Sequence, residues 1–165
     1  MHHEPAGALY AFDITLHGLP ATADGPMPSA THEELGVSWP TVSVPRALLS
    51  TPMSVEFDVA IERLGSLDRM YAEPDGSLVW TSPGGGAGWQ VDGNAYEKDG
   101  RVLHVDLRGS CPAEAFDRLL ACFGWPQQRV LVQLLRPGVF LEEEAFRRHA
   151  LARGAAGDGE TLRPS

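Results

Sequence analysis

The stretch RVLHVDLRGSCPAEAFDRLLACFGWPQQRVLVQLL, Arg101–Leu135, decides the fold class. From Arg101 to Arg108 it alternates. Leu103, Val105 and Leu107 fall on one side, His104, Asp106 and Arg108 on the other, the pattern of a half-buried strand. Then the period changes. Phe116, Leu119, Leu120 and Phe123 recur at helical spacing, with Glu114, Asp117 and Arg118 off that stripe. Ser110 or Cys111 is placed to cap this helix, Pro112 to open it and Gly124 to close it, with Pro126 beyond. QRVLVQLL follows as a short apolar run bounded by turn residues, read as a central strand. A single helix between two strands is a crossover, which predicts those strands parallel and the connection right-handed.

Working outward, PGVFLEEEAFRRHALARG reads as a second helix. Its acids, Glu142–Glu144, come early and its bases, Arg147, Arg148, His149 and Arg153, come late, as the helix dipole prefers. Its apolar stripe is Val139, Phe146 and Ala150. Upstream, Pro74-Asp75-Gly76 and Lys98-Asp99-Gly100 each separate two strand-like runs and mark hairpin turns, and Asp92-Gly93 offers a further break. LYAFDITLH alternates, with Tyr10, Phe12, Ile14 and Leu16 inward. SVEFDVAIE repeats the pattern, with Val55, Phe57, Val59 and Ile61 inward and Glu56, Asp58, Ala60 and Glu62 outward. FDITL and FDVAI share only strand chemistry and are not read as an internal repeat.

Between those two runs lie residues 18–52, with six prolines. THEEL offers one helical turn and PRALLS another. So long an irregular connection is uncommon in a compact domain, and it reads as a lid, a partner surface or a cover over a sheet edge. The pattern predicts an α+β fold: a mixed, mainly antiparallel sheet of about six strands with two helices packed on one face. It forms one domain over 1–153, with a mobile tail over 154–165.

The chain has 165 residues and is 43% hydrophobic. A domain of that size buries about two-thirds of its unfolded surface, so a core needs no metal or disulfide. The net charge of −9 repels phosphate backbones and anionic membranes, so no nucleic-acid or membrane partner is expected. No window reaches 18 apolar residues, and the first residues lack a basic region followed by an apolar run, so neither a span nor a secretory signal is expected. His2 and His3 fall in an expected frayed end. Cys111 and Cys122, at opposite ends of one helix, are separated by roughly 16 Å of helical rise, too far to pair. Free thiols fit a reducing compartment, the cytoplasm.

WTSPGGGAGWQVDG, Trp80–Gly93, is glycine-rich, but a phosphate cradle needs a helix N-terminus and a cation. This stretch precedes strand-like residues, with no Lys or Arg between Arg69 and Lys98, so it reads as a link and no cofactor is expected. Zinc-ligand spacings are absent, as is the GxSxG elbow. Cys111 is a candidate nucleophile, because a thiol at a helix N-terminus feels the positive end of the dipole. His104 lies too far along an extended strand to serve it, which leaves His17, His32 or His149 as bases. The outward positions of the strands gather Asp13, His17, Glu56, Asp58 and His104, a candidate divalent-metal set (Asp13, His17, Glu56, Asp58) or acid/base pair (His104, Asp58). Trp39 and Trp89 are candidate partner anchors. Two functions follow. The preferred one is a non-catalytic binding protein with a basic protein partner. The alternative is a small enzyme or metal-dependent protein that uses the acidic, histidine-bearing face or Cys111.

Overall fold

A computed structural model describes residues 8–19, 27–84 and 88–157. At the centre lies β1, Tyr10–Leu19, with Tyr10, Phe12, Ile14 and Leu16 buried on the core side as expected. It is flanked by β7, Arg101–Cys111, and β8, Arg129–Leu134, antiparallel to both. The crossover expectation therefore holds in direction only. β7 and β8 run parallel to each other, but β1 stands between them, so no neighbouring pair in the sheet is parallel. Chain direction alone cannot show that a distant strand will insert into the gap.

Among the described residues the sheet has nine strands rather than six, in the order β2-β3-β9-β8-β1-β7-β6-β5-β4, and it is antiparallel throughout. β4, Met70–Ala72, and β5, Ser77–Thr81, close on the expected Pro74-Asp75-Gly76 turn. Gly76 has φ +100°, and a Cβ there would meet the Ala95 carbonyl oxygen at 2.1 Å, so only glycine fits. β6, Gln90–Lys98, pairs with β7 through the Lys98-Asp99-Gly100 turn and passes through Asp92-Gly93 without a break. A bulge at Leu103 shifts the register between Tyr96 and Glu97. Val102 and Val105 are both buried as a result, and the alternation read from the sequence slips there.

Two further expectations are corrected. Of residues 18–52, those numbered 20–26 lie outside the described residues, and the rest is not an irregular connection: Gly18 and Leu19 end β1, and Met27–Glu34 (β2) and Val37–Ser43 (β3) form a hairpin, followed by the short α1, Arg46–Leu49. Pro28 and Pro40 hid it, since proline demotes a strand reading, yet Pro28 lies on the edge strand beside a register shift, where a missing N–H is tolerated. And SVEFDVAIE is not a strand. Phe57–Gly65 is a helix, α2, which buries Phe57, Ala60 and Leu64 at helical spacing.

The remaining helices are α3, Ala113–Cys122, and α4, Glu143–Ala155. α3 carries the stripe read from sequence, with Gly124 at φ +100° just past its end. Ser110 and Cys111 do not cap it; they end β7, and Pro112 takes the cap position without a side-chain bond. Before α4 the chain first makes β9, Phe140–Glu142, so the segment read as one helix is a strand and a helix. α4 extends to Ala155, into the stretch expected to be a mobile tail; residues 158–165 lie outside the described chain, as do His2 and His3.

The core is aromatic. Phe116 of α3 packs edge-on against Tyr10 and Phe12, at 5.8 and 5.3 Å between centroids, and Phe146 of α4 completes the group at 5.4 Å from Phe116. Arg147 seals its rim. Its guanidinium lies over the Phe116 and Trp125 rings, with Nη1 2.7 Å from Asp117 Oδ1 and Nε donating to Glu143 Oε2 at 2.9 Å.

Candidate functional site

The pairing register fixes which side chains share the face of the sheet turned away from Phe116 and Phe146. Directly opposed residues project to the same side. One row runs Tyr71, Val79, Asp92, Arg108, Asp13 across β4, β5, β6, β7 and β1. A second runs Asn94, Asp106, Thr15, Gln133, Phe140. A third runs Tyr96, His104, His17, Leu131.

These rows bond to one another. Thr15 Oγ1 donates to Asp106 Oδ1 at 2.7 Å, and the charge of the same carboxylate raises the Tyr96 pKa. The Tyr96 and His104 rings lie 4.6 Å apart, and His104 and His17 5.7 Å. His17 Nε2 lies 3.1 Å from Gln133 Oε1. With that oxygen accepting, Nε2 carries the proton and Nδ1 keeps its lone pair. Nδ1 is buried without a hydrogen-bond partner among the described residues, and the residue is only 7% exposed. Desolvation lowers the pKa of both His17 and His104. The expectation that β1 turns a wetted face to solvent therefore fails for Ala11, Thr15 and His17, which are buried.

Of the candidates read from sequence, Asp13, His17 and His104 share this face. Glu56 and Asp58 do not: Glu56 takes the N-cap position of α2 without a side-chain bond and pairs through its backbone with Arg101 as a β-bridge, and Asp58 is exposed in the first turn of α2. The four-residue metal set and the His104/Asp58 pair depended on a strand that is a helix, so the fold does not assemble them. Among the described residues no three His, Cys, Asp or Glu side chains are grouped to hold a metal ion.

Cys111 is fully buried at the end of β7, and burial pushes its thiol far up, away from the thiolate. The Cys122 thiol is pushed up to about 11, again by burial. Both thiols are free, as expected. Trp39 and Trp89 are buried too. Trp89 packs edge-on with Trp80 at 5.0 Å across the glycine-rich link between β5 and β6, and Trp39 packs on α4. The exposed aromatic side chains among the described residues are instead Tyr71, at 66%, with Val79 at 39% beside it, and Tyr96, at 42%, two rows away, all on the face just described. Counting along β1 and β7 gives His17 and His104 outward positions, and the Lys98-Asp99-Gly100 hairpin sets β6 beside β7, but the bulge at Leu103 hides the pairing of Tyr96 with His104, and nothing in the sequence places β8 beside β1, so Gln133 was out of reach.

An open cavity of about 260 Å³ lies elsewhere, lined in part by Trp125, Arg129 and Glu142–Glu144. Glu143 is already committed there: Oε1 accepts from Trp125 Nε1 at 2.5 Å and Oε2 from Arg147. No helix among the described residues is long and apolar enough to cross a membrane. Compared with protein-family models, with curated proteins and with solved structures, the chain matches none.

Proposed function

We propose that this chain is a non-catalytic binding domain that takes a basic protein partner on the second face of its sheet. One observation carries the reading. Tyr71, Val79 and Tyr96 are exposed there in company with Asp13, Asp92 and Asp106, on a chain of net charge −9. Exposed tyrosines supply large contact area at little entropic cost, and they dominate interface energetics. The carboxylates around them favour lysine and arginine, whose long stems lie along aromatic rings. Arg108 in the same row fixes register rather than sign, since it stands directly opposite both Asp13 and Asp92.

The test is a titration followed by amide chemical shifts, with two peptides of equal length, one rich in lysine and arginine and one rich in glutamate. The basic peptide should produce saturable shifts over β5, β6 and β7 that weaken as salt is added. Tyr96→Ala should weaken that binding by about thirtyfold, the loss of a hot-spot side chain worth roughly 2 kcal/mol. Saturable binding centred on another surface, or no preference between the peptides, would sink the reading.

A further inference from the structure

The β2–β3 hairpin is an arm with two attachments. Its base joins the sheet through one pair, Val42 with Phe140. Its inner side, bearing His32, Glu34 and Trp39, rests on α4 at His149. We propose that this second attachment is an acid-operated latch: it holds the arm on α4 at neutral pH, and protonation of His149 releases the arm while the rest of the sheet stays folded. The inference stands apart from what binds on the other face.

The geometry is that of a contact with too few acceptors. His149 is 1% exposed. Its Nε2 lies 3.1 Å from Glu34 Oε1, a close approach without hydrogen-bond alignment. The same oxygen takes His32 Nε2 at 2.9 Å. Two imidazoles therefore compete for one carboxylate oxygen, and His149 Nδ1 has no acceptor among the described residues. A neutral His149 tolerates this. An imidazolium carries two N–H donors and needs two acceptors, and a buried donor left unpaired is costly. Released to water, the same ring is satisfied at both nitrogens.

The charged groups that face His149 are Glu34 and His32 from β2 and Arg153 from α4 itself. β3 presents the uncharged Trp39 edge-on at 5.2 Å, with its Nε1 donating to the Glu34 carbonyl at 3.0 Å. β1 meets α4 through Phe12 on Phe146. Desolvation lowers the His149 pKa below its ordinary 6.5, the charges of Arg153 and His32 add to it, and Glu34 only partly offsets them. Burial works against the Glu34 carboxylate as well, but the bond from His32 and the pull of His149 and Arg153 outweigh it, so its pKa is also lowered. Both shifts have one sign. The released state binds protons more readily, so docking is complete above the ordinary histidine value and weakens as pH falls below it.

Hydrogen exchange by mass spectrometry, corrected for intrinsic rates, tests this between about pH 7.5 and about pH 5.5, the range in which a histidine changes charge. Residues 27–43 should exchange faster on acidification, by up to about tenfold per pH unit for one linked proton, while β1 and β7 hold their rates. His149→Phe keeps a ring against Trp39 and removes the proton site, so its arm should stay protected at both values. If that variant does not fold, Glu34→Gln decides. It withdraws the charge that favours imidazolium, so release should move to higher pH. A wild-type arm indifferent to pH, acceleration shared equally by β1 and β7, a docked His149→Phe that still responds, or an unmoved Glu34→Gln midpoint would each overturn the latch.

Discussion

Phe146 and His149 sit three residues apart on α4, and both are buried, yet they hold different things. Phe146 joins the rings of Phe12 and Phe116. His149 meets a tryptophan edge and a shared carboxylate on the arm. The first contact is apolar burial, which is non-directional and indifferent to pH. The second depends on protonation and on the alignment of a few polar atoms. The same helix thus anchors a core that is unconditional and an arm that is conditional.

The sharpest way to break this comparison is to cut each side. Phe116→Ala removes the ring that touches Tyr10, Phe12 and Phe146 and that lies under Arg147. Denaturant unfolding should report a loss of about 3–5 kcal/mol, taken from the whole fold in one cooperative transition. A loss below about 1 kcal/mol would mean that the site collapses without penalty and that the core lies elsewhere.

Trp39→Ala is the matching cut on the arm. Trp39 is as buried as most core residues, so area alone would predict a comparable loss. Among the described residues, however, the arm is joined to the sheet only at its base, and it can open by itself. The expected global cost is smaller, about 1–2 kcal/mol, with hydrogen exchange accelerated over residues 27–43 and unchanged in β1 and β7. A loss equal to that of Phe116→Ala, spread over the sheet, would make the arm part of the core and remove the distinction.

The same contrast governs what the sequence discloses. β1, α3 and β8 are legible because burying apolar groups on a regular element writes its period into the chain. α2 is the instructive exception. Val55, Phe57, Val59 and Ile61 satisfy a period of two, and only by reaching Leu64, seven residues after Phe57, does the helical period declare itself. The arm buries one tryptophan and few aliphatic side chains, so it leaves no period, and its prolines argue against the strands that it forms. The site was half legible for a related reason. Alternation within β1 and β7 places Asp13, His17, His104 and Asp106 on common faces, but strand order is a long-range property. Glu34 and His149 meet across most of the chain with no local mark of doing so. Asp58 and Glu56 left the candidate set when their strand became a helix.

The smallest expected effect belongs to Asp58, which is part of neither the core nor the arm. It is exposed in the first turn of α2, where a negative charge favours the positive end of the helix dipole, a contribution of a few tenths of a kcal/mol. Against this stands the repulsion of a chain at −9, which losing one carboxylate relieves. The two nearly cancel, so Asp58→Asn should change stability by less than about 0.5 kcal/mol. The melting temperature should be the same with and without a chelator for both proteins, because Asp13 and His17 lie on β1 and Asp58 on a helix that does not share their face. The measurement also tests the comparison from outside: a substitution on an exposed helix surface should leave exchange in both the core and the arm untouched. A wild type that loses stability on chelation beside an Asp58→Asn variant that does not would place a cation at α2 and return these carboxylates to a shared site.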